Sequence, residues 1–189
     1  MKTEIKILKA ILKNNKEYTI RELSLLINSD YKITHTAVKS LIAKKILEQR
    51  KAGNSSQIKL LLNFSKEILE AESERTQELL KNKNMKIIYE KLSSLHFQFI
   101  SLIFGSYAKD KAEKNSDIDI MIISEKNNEK DVSRTLSLLP LNIHLTYLDY
   151  EEFLNMARTK EFNVVSEAIN HNFIIFGIED YYRLIKNAR

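Results

Sequence analysis

Ile5, Leu8, Ile11 and Leu12 fall on one face of a helical period and Lys6, Lys9 and Lys13 on the other, which predicts an amphipathic helix over 4–13. Thr19-Ile20-Arg21-Glu22 has capping-box spacing and opens a second helix with Leu23, Leu26 and Ile27 turned inward. Asn28-Ser29-Asp30-Tyr31 breaks that helix. A third is expected from Thr34 to Lys45, burying Ala37, Val38, Leu41 and Ile42. The pattern then shortens. Ile46–Arg50 and Gln57–Leu62 read as strands around the turn residues Ala52-Gly53-Asn54-Ser55-Ser56.

From Ser65 to Lys83 apolar positions are sparse and glutamates frequent, the pattern of a solvated linker helix, with Ile68, Leu69, Leu79 and Leu80 as a dimer contact. Asn82-Lys83-Asn84 interrupts it, and Ile87, Ile88, Leu92 and Leu95 mark the apolar face of a new helix. Strands are expected at 97–104, 117–123, 142–148 and 173–176. Helices are expected near 107–112, 127–138, 150–158, 161–170 and 181–186, with Pro140 ending the second. This order argues an α/β (α+β) sheet layered with helices, preceded by a small helical unit.

Charge sharpens the division. Residues 1–64 carry 13 Lys and Arg against 5 Asp and Glu, and the remainder carries 17 against 20. The first part therefore inclines toward a polyanion. We read 1–64 as one domain, 65–84 as a linker helix and 85–189 as a second domain. The absence of Cys excludes cysteine zinc sites, thiol catalysis and disulfides. No apolar run is long enough to span a bilayer and Met1-Lys2-Thr3-Glu4 opens no signal peptide, so a cytoplasmic protein is expected.

The chemistry concentrates in two consecutive apolar runs. Phe99 to Phe104 ends in Gly105-Ser106-Tyr107-Ala108, and Asn115-Ser116-Asp117-Ile118-Asp119 begins the next. On a strand Asp117 and Asp119 share a face, roughly 6–7 Å apart, while Ile118 and Ile120 enter the core. Paired carboxylates suit a hard cation that takes phosphate oxygens as its remaining ligands. A glycine lets backbone approach a phosphate, and the N–H groups opening a helix attract anions.

Gly105-Ser106, ten intervening residues, then Asp117-Ile118-Asp119 resembles the DNA polymerase β-like nucleotidyltransferase superfamily, and most closely its small prokaryotic minimal branch. Asp110 stands where that branch usually has a second glycine. The resemblance implies a mixed sheet with flanking helices and the site at one edge. It implies Mg²⁺ or Mn²⁺ held by Asp117 and Asp119, and an NTP whose triphosphate lies on Gly105 and Ser106. A third acidic residue would follow on the next strand, but Ile143-His144-Leu145-Thr146 places His144 there. Histidine can serve as a base near neutral pH. Asp149 and Glu151, at the end of that strand, are the other acids near enough in sequence to be considered. The branch also implies a partner protein of toxin–antitoxin type.

Three helices and a hairpin resemble a winged helix-turn-helix domain, whose third helix enters the major groove of duplex DNA. On that resemblance His35, Thr36, Lys39 and Ser40 face DNA, and Arg50 and Lys51 lead into the wing. The expected function is transfer of a nucleoside monophosphate from an NTP to a hydroxyl acceptor by a DNA-binding protein. The alternative is a transcription regulator, antitoxin-like, whose degenerate transferase domain senses a nucleotide.

Overall fold

The computed structural model describes residues 2–14, 16–53, 55–113, 116–159 and 161–188. The chain divides into two compact units, Met1–Ser73 and Glu74–Arg189.

In the first unit α1 (Thr3–Asn14) buries Ile5, Ile7, Leu8, Ile11 and Leu12. The capping box opens α2 (Ile20–Leu26): Thr19 N donates to Glu22 Oε2 at 2.7 Å, and Glu22 N to Thr19 Oγ1 at 3.2 Å. Leu23 is buried, but Leu26 is 57% exposed, contrary to the expected inward face. The buried face of this short helix is set by Ile20, Leu23 and Ser24, and Leu26 falls beside it. The third helix, α3 (Tyr31–Ala43), starts three residues earlier than expected because the Asp30 side chain caps it, accepting from Lys32 N and Ile33 N. Thr34, Val38 and Leu41 form its buried face.

Strands β1 (Leu47–Ala52) and β2 (Ser55–Leu60) pair antiparallel from Leu47↔Leu60 to Ala52↔Ser55. The hairpin is tighter than the five-residue turn expected, with Gly53 and Asn54 alone between the strands. Asn54 lies outside the described residues.

Helix α4 (Lys66–Leu79) is not the solvated helix its composition suggested. Ile68, Ala71, Glu72, Arg75 and Thr76 are all buried, so Ile68 is unavailable as a dimer contact. In the second unit Thr76 Oγ1 donates to the carbonyl of Ile174 at 2.8 Å and Arg75 donates to that of Asn172. These carbonyls lie on and just before an outer strand of the sheet, whose unpaired carbonyls otherwise need water. Leu79 and Leu80 pack on that unit's core.

Asn82 caps α5 (Lys83–Leu92), and the sheet then assembles from β3 (Ile100–Ile103), β4 (Ile118–Ile123), β5 (Ile143–Leu148) and β6 (Phe173–Phe176). The order is β5-β4-β3-β6; β3 runs antiparallel to both neighbours, while β4 and β5 are parallel. Between β4 and β5 a 3₁₀ turn at Lys126–Asn128 leads into α7 (Glu129–Ser137). Ile118, Ile120 and Ile122 pack with Met85, Ile88 and Leu92 of α5 and with Val132 and Leu136 of α7. Alternation sends Asp119, Met121 and Ile123 to the opposite face. Helices α8 (Tyr150–Arg158) and α9 (Val164–Asn170) lie between β5 and β6, and α10 (Ile178–Ala188) follows β6. Among the described residues no helix is long and apolar enough to cross a membrane.

Candidate functional site

The site begins where β3 runs out. Phe104 N donates to the carbonyl of Asp119 at 3.1 Å, continuing the β3–β4 ladder by one residue. The chain then turns through Gly105, at φ +64°, directly into the single-turn helix α6 (Gly105–Ala108). The helix thus starts two residues before the position expected from sequence. Its N-cap, Phe104, supplies no side-chain acceptor. A side chain at Gly105 has no room: an added Cβ would strike the Asp119 carboxylate, with Cγ 2.8 Å away.

At the other end of α6, Lys111 N donates to Ser106 O at 2.9 Å and Asp110 N to Tyr107 O at 3.4 Å, the pattern of a Schellman cap. Asp110 occupies the left-handed position of that cap, at φ +54°. The glycine usual there in the resembling family has a backbone reason, and aspartate is among the side chains that tolerate it. Lys109, the C-cap, is ion-paired to Glu167 of α9 at 2.5 Å. Sequence reading missed Glu167: it lies 58 residues away, and no spacing pattern announces such a pair.

Strand β4 starts at Ile118, so Asp117 sits just before it rather than within it, with an exposed side chain. Asn115 of the motif lies outside the described residues. Asp119 is on the strand, and parallel pairing sets it directly opposite His144. His144 Nδ1 lies 3.2 Å from Asp119 Oδ1, with the two side chains 71% and 25% exposed. One carboxylate therefore touches two elements, Gly105 through the loop backbone and His144 on the edge strand.

Asp149 and Glu151 are at the wrong end of the strand. Asp119 pairs with His144 at the start of β4 and β5, whereas Ile123 pairs with Leu148 at their far end. Five residues at ~3.3 Å each separate His144 from Asp149 by roughly 16 Å. Asp149 is also committed elsewhere, capping α8 through Glu152 N at 2.7 Å, and hydrogen bonding to Glu152 holds its carboxyl below the ordinary value. Among the described residues no group of three or more His, Asp or Glu side chains converges as a ready metal cage.

In the first unit His35, Thr36, Lys39 and Ser40 share an arc of roughly 140° on α3, opposite its buried face. His35 stacks on Tyr31, with ring centroids 6.2 Å apart. Thr36 Oγ1 donates to the carbonyl of Lys32 at 2.9 Å, and Lys39 is exposed. On β1 Arg50 pairs with Glu48 at 2.5 Å and Lys51 is exposed.

No curated protein and no solved structure matches the chain. A family model does match, that of the nucleotidyltransferase domain, over residues 85–185. That span covers more than half of the chain and contains the Gly105 turn, Asp117, Asp119 and His144. On that match the chain belongs to the nucleotidyltransferase-domain family.

Proposed function

We propose that the protein is a metal-dependent nucleotidyltransferase that moves a nucleoside monophosphate from an NTP to a hydroxyl acceptor. The observation carrying this reading is the seating of Gly105 on the Asp119 carboxylate, which brings the backbone turn of the Gly-Ser motif and a metal-type side chain together. Gly105 and Ser106 would hold the triphosphate through backbone N–H groups and the Ser106 hydroxyl. Asp117 and Asp119 are oxygen donors suited to one Mg²⁺ or Mn²⁺ that draws its other ligands from phosphate and water. When bound, that cation neutralises the triphosphate and the charge that develops on it.

The acceptor side differs. Imidazole is a poor ligand for a hard cation, so His144 does not replace a third carboxylate in kind. With its proton on Nδ1 it donates to Asp119 Oδ1, leaving the Nε2 lone pair to take the proton of the acceptor hydroxyl. Asp119 then also fixes the imidazole's tautomer and orientation.

The first unit we read as a winged helix-turn-helix that binds duplex DNA, supported by its basic balance and by the polar arc of α3 opposite a packed face. A second reading is favoured by His144 itself. With no group of three acidic or histidine side chains converging at Asp119 among the described residues, the domain would bind a nucleotide without transferring it, as the sensor of an antitoxin-like regulator.

The deciding experiment is calorimetric titration of the full chain with each NTP, with and without Mg²⁺, followed by incubation with labelled NTP and host lysate. Mg²⁺-dependent binding lost in Asp117→Asn and Asp119→Asn, together with label transfer, supports the enzyme. Binding without transfer supports the sensor. NTP binding that ignores both Mg²⁺ and the aspartates sinks the site assignment.

A further inference from the structure

The second unit carries a cleft of about 540 Å³ whose walls include Phe97, Gln98, Glu125, Tyr150, Asp180 and Arg183. It lies far from the nucleotidyl-transfer site. Ile103 pairs with Ile120 beside Gly105 and Asp119, whereas Ile100 pairs with Ile123 at the opposite end of the sheet, next to Gln98 and Glu125. Six residues of β4 and its extension separate Asp119 from Glu125, roughly 20 Å at ~3.3 Å per residue. A ligand in this cleft cannot be the transferred nucleotide held at Asp119.

Its chemistry is specific. Asp180, in the first turn of α10, accepts one hydrogen bond from Gln98 Nε2 at 3.0 Å through Oδ2. Glu125 uses its backbone carbonyl to accept from the Tyr147 hydroxyl, and among the described residues its carboxylate has no ion-pair partner. The neighbouring cations are engaged elsewhere. Arg183 is bound to Glu179 at 2.6 Å, and Lys126 lies 3.5 Å from Asp149 and 3.4 Å from Glu152. Glu125 and Asp180 thus line a cleft together with two aromatic residues, and Arg183, which also lines it, is paired to Glu179. Their effect is felt locally: burial, then the charges of Asp180 and Glu125, hold the Tyr150 phenol above its ordinary value.

We propose that this cleft binds a small organic cation, a primary amine or guanidinium on an apolar arm. The charge would sit between Glu125 and Asp180, making charge-assisted hydrogen bonds. The arm would lie on Phe97 and Tyr150, whose ring faces attract cations and shed water. The volume is in the range of clefts that enclose small molecules. The site is independent of the transfer chemistry, so it stands or falls separately.

The test is isothermal titration of the full chain with 2-phenylethylamine and agmatine, and with phenylacetate as a size-matched anion. One-to-one amine binding at least about tenfold tighter than phenylacetate is expected, since one well-placed charged contact is worth that much. Glu125→Gln and Asp180→Asn should each weaken the amine about tenfold or more, while Glu90→Gln on α5 leaves it bound. Thermal melting verifies that each variant is folded, and Glu125→Gln, outside the helices, carries the test if Asp180→Asn unfolds. Phenylacetate binding as tightly as the amines would overturn the proposal. So would loss of binding on Arg183→Gln with the carboxylate variants unaffected, or the absence of any amine binding at ~10 mM, where a usable site should be filled.

Discussion

The Asp119 carboxylate fills the space in which a side chain on Gly105 would lie. The two residues are 14 positions apart and on different elements, yet each fixes what the other can be.

Gly105→Ala therefore meets two penalties, a left-handed φ and a collision with the carboxylate. Together they should cost at least ~1–2 kcal/mol. In an Asp119→Gly background the collision vanishes and only the backbone penalty remains. The double-mutant cycle, read from urea midpoints, should show coupling above ~0.5 kcal/mol. Additive effects would mean that the loop and the strand are not in contact.

His144→Ala should leave NTP binding intact and slow label transfer by ~10²–10⁴-fold, the usual worth of a positioned base. His144→Asp should bring a third carboxylate beside Asp119 and raise Mg²⁺-dependent transfer. Unchanged rates in both variants would remove His144 from the chemistry.

DNA binding by the full chain should weaken on Lys39→Glu and fall with salt, each phosphate contact adding about −0.9 to the slope of log affinity against log salt. A mobility-shift series across ionic strength reads both. Salt-insensitive binding, or none in dilute buffer, assigns α3 to protein contacts instead.

Lys45 follows α3 at φ +56° in a second Schellman cap, with Ile46 N donating to Leu41 O at 3.0 Å. Lys45→Gly should stabilise the first unit by ~0.5–1 kcal/mol, because glycine takes this conformation without strain. A lower unfolding midpoint would show that the lysine side chain contributes more than its backbone costs.

Lys44 Nζ bridges Glu4 at 3.1 Å and Glu67 at 2.9 Å, joining α3 to α1 and α4 within the first unit. The Glu67 hydrogen bond, then that of Glu4, raises the Lys44 ammonium above 10.5. Lys44 in turn lowers Glu67 below 4.5. A raised lysine stabilises the fold below its unfolded value and loses that contribution as pH climbs through the folded one. A depressed carboxyl contributes above its unfolded value and loses it as pH falls through the folded one. Lys44→Met should thus cost under ~1 kcal/mol, constant across mid pH and shrinking toward both extremes. Denaturation midpoints at acid, neutral and alkaline pH check the shape, and a cost that grows at either extreme would contradict it.

Apolar periodicity marked α1, α3 and α5, because each buries one face and the spacing of apolar residues records which. The capping box at Thr19 was legible for the same local reason: donor and acceptor are three residues apart. The Gly105-Ser106 and Asp117-x-Asp119 motif likewise lies within consecutive segments of the chain and marked candidate site residues. Tertiary structure decided what sequence spacing cannot encode. Strand register set His144 opposite Asp119 and carried Asp149 to the far end of β5. The backbone turn at Gly105 put a loop against a carboxylate, and Lys109 met Glu167 across 58 residues. Helix α4 looked solvated because its buried face includes Glu72, Arg75 and Thr76, polar groups whose burial becomes intelligible only once Asn172 and Ile174 present carbonyls to two of them. Local spacing specifies which face of an element is buried; which partner meets that face is settled by pairing between segments distant in the chain.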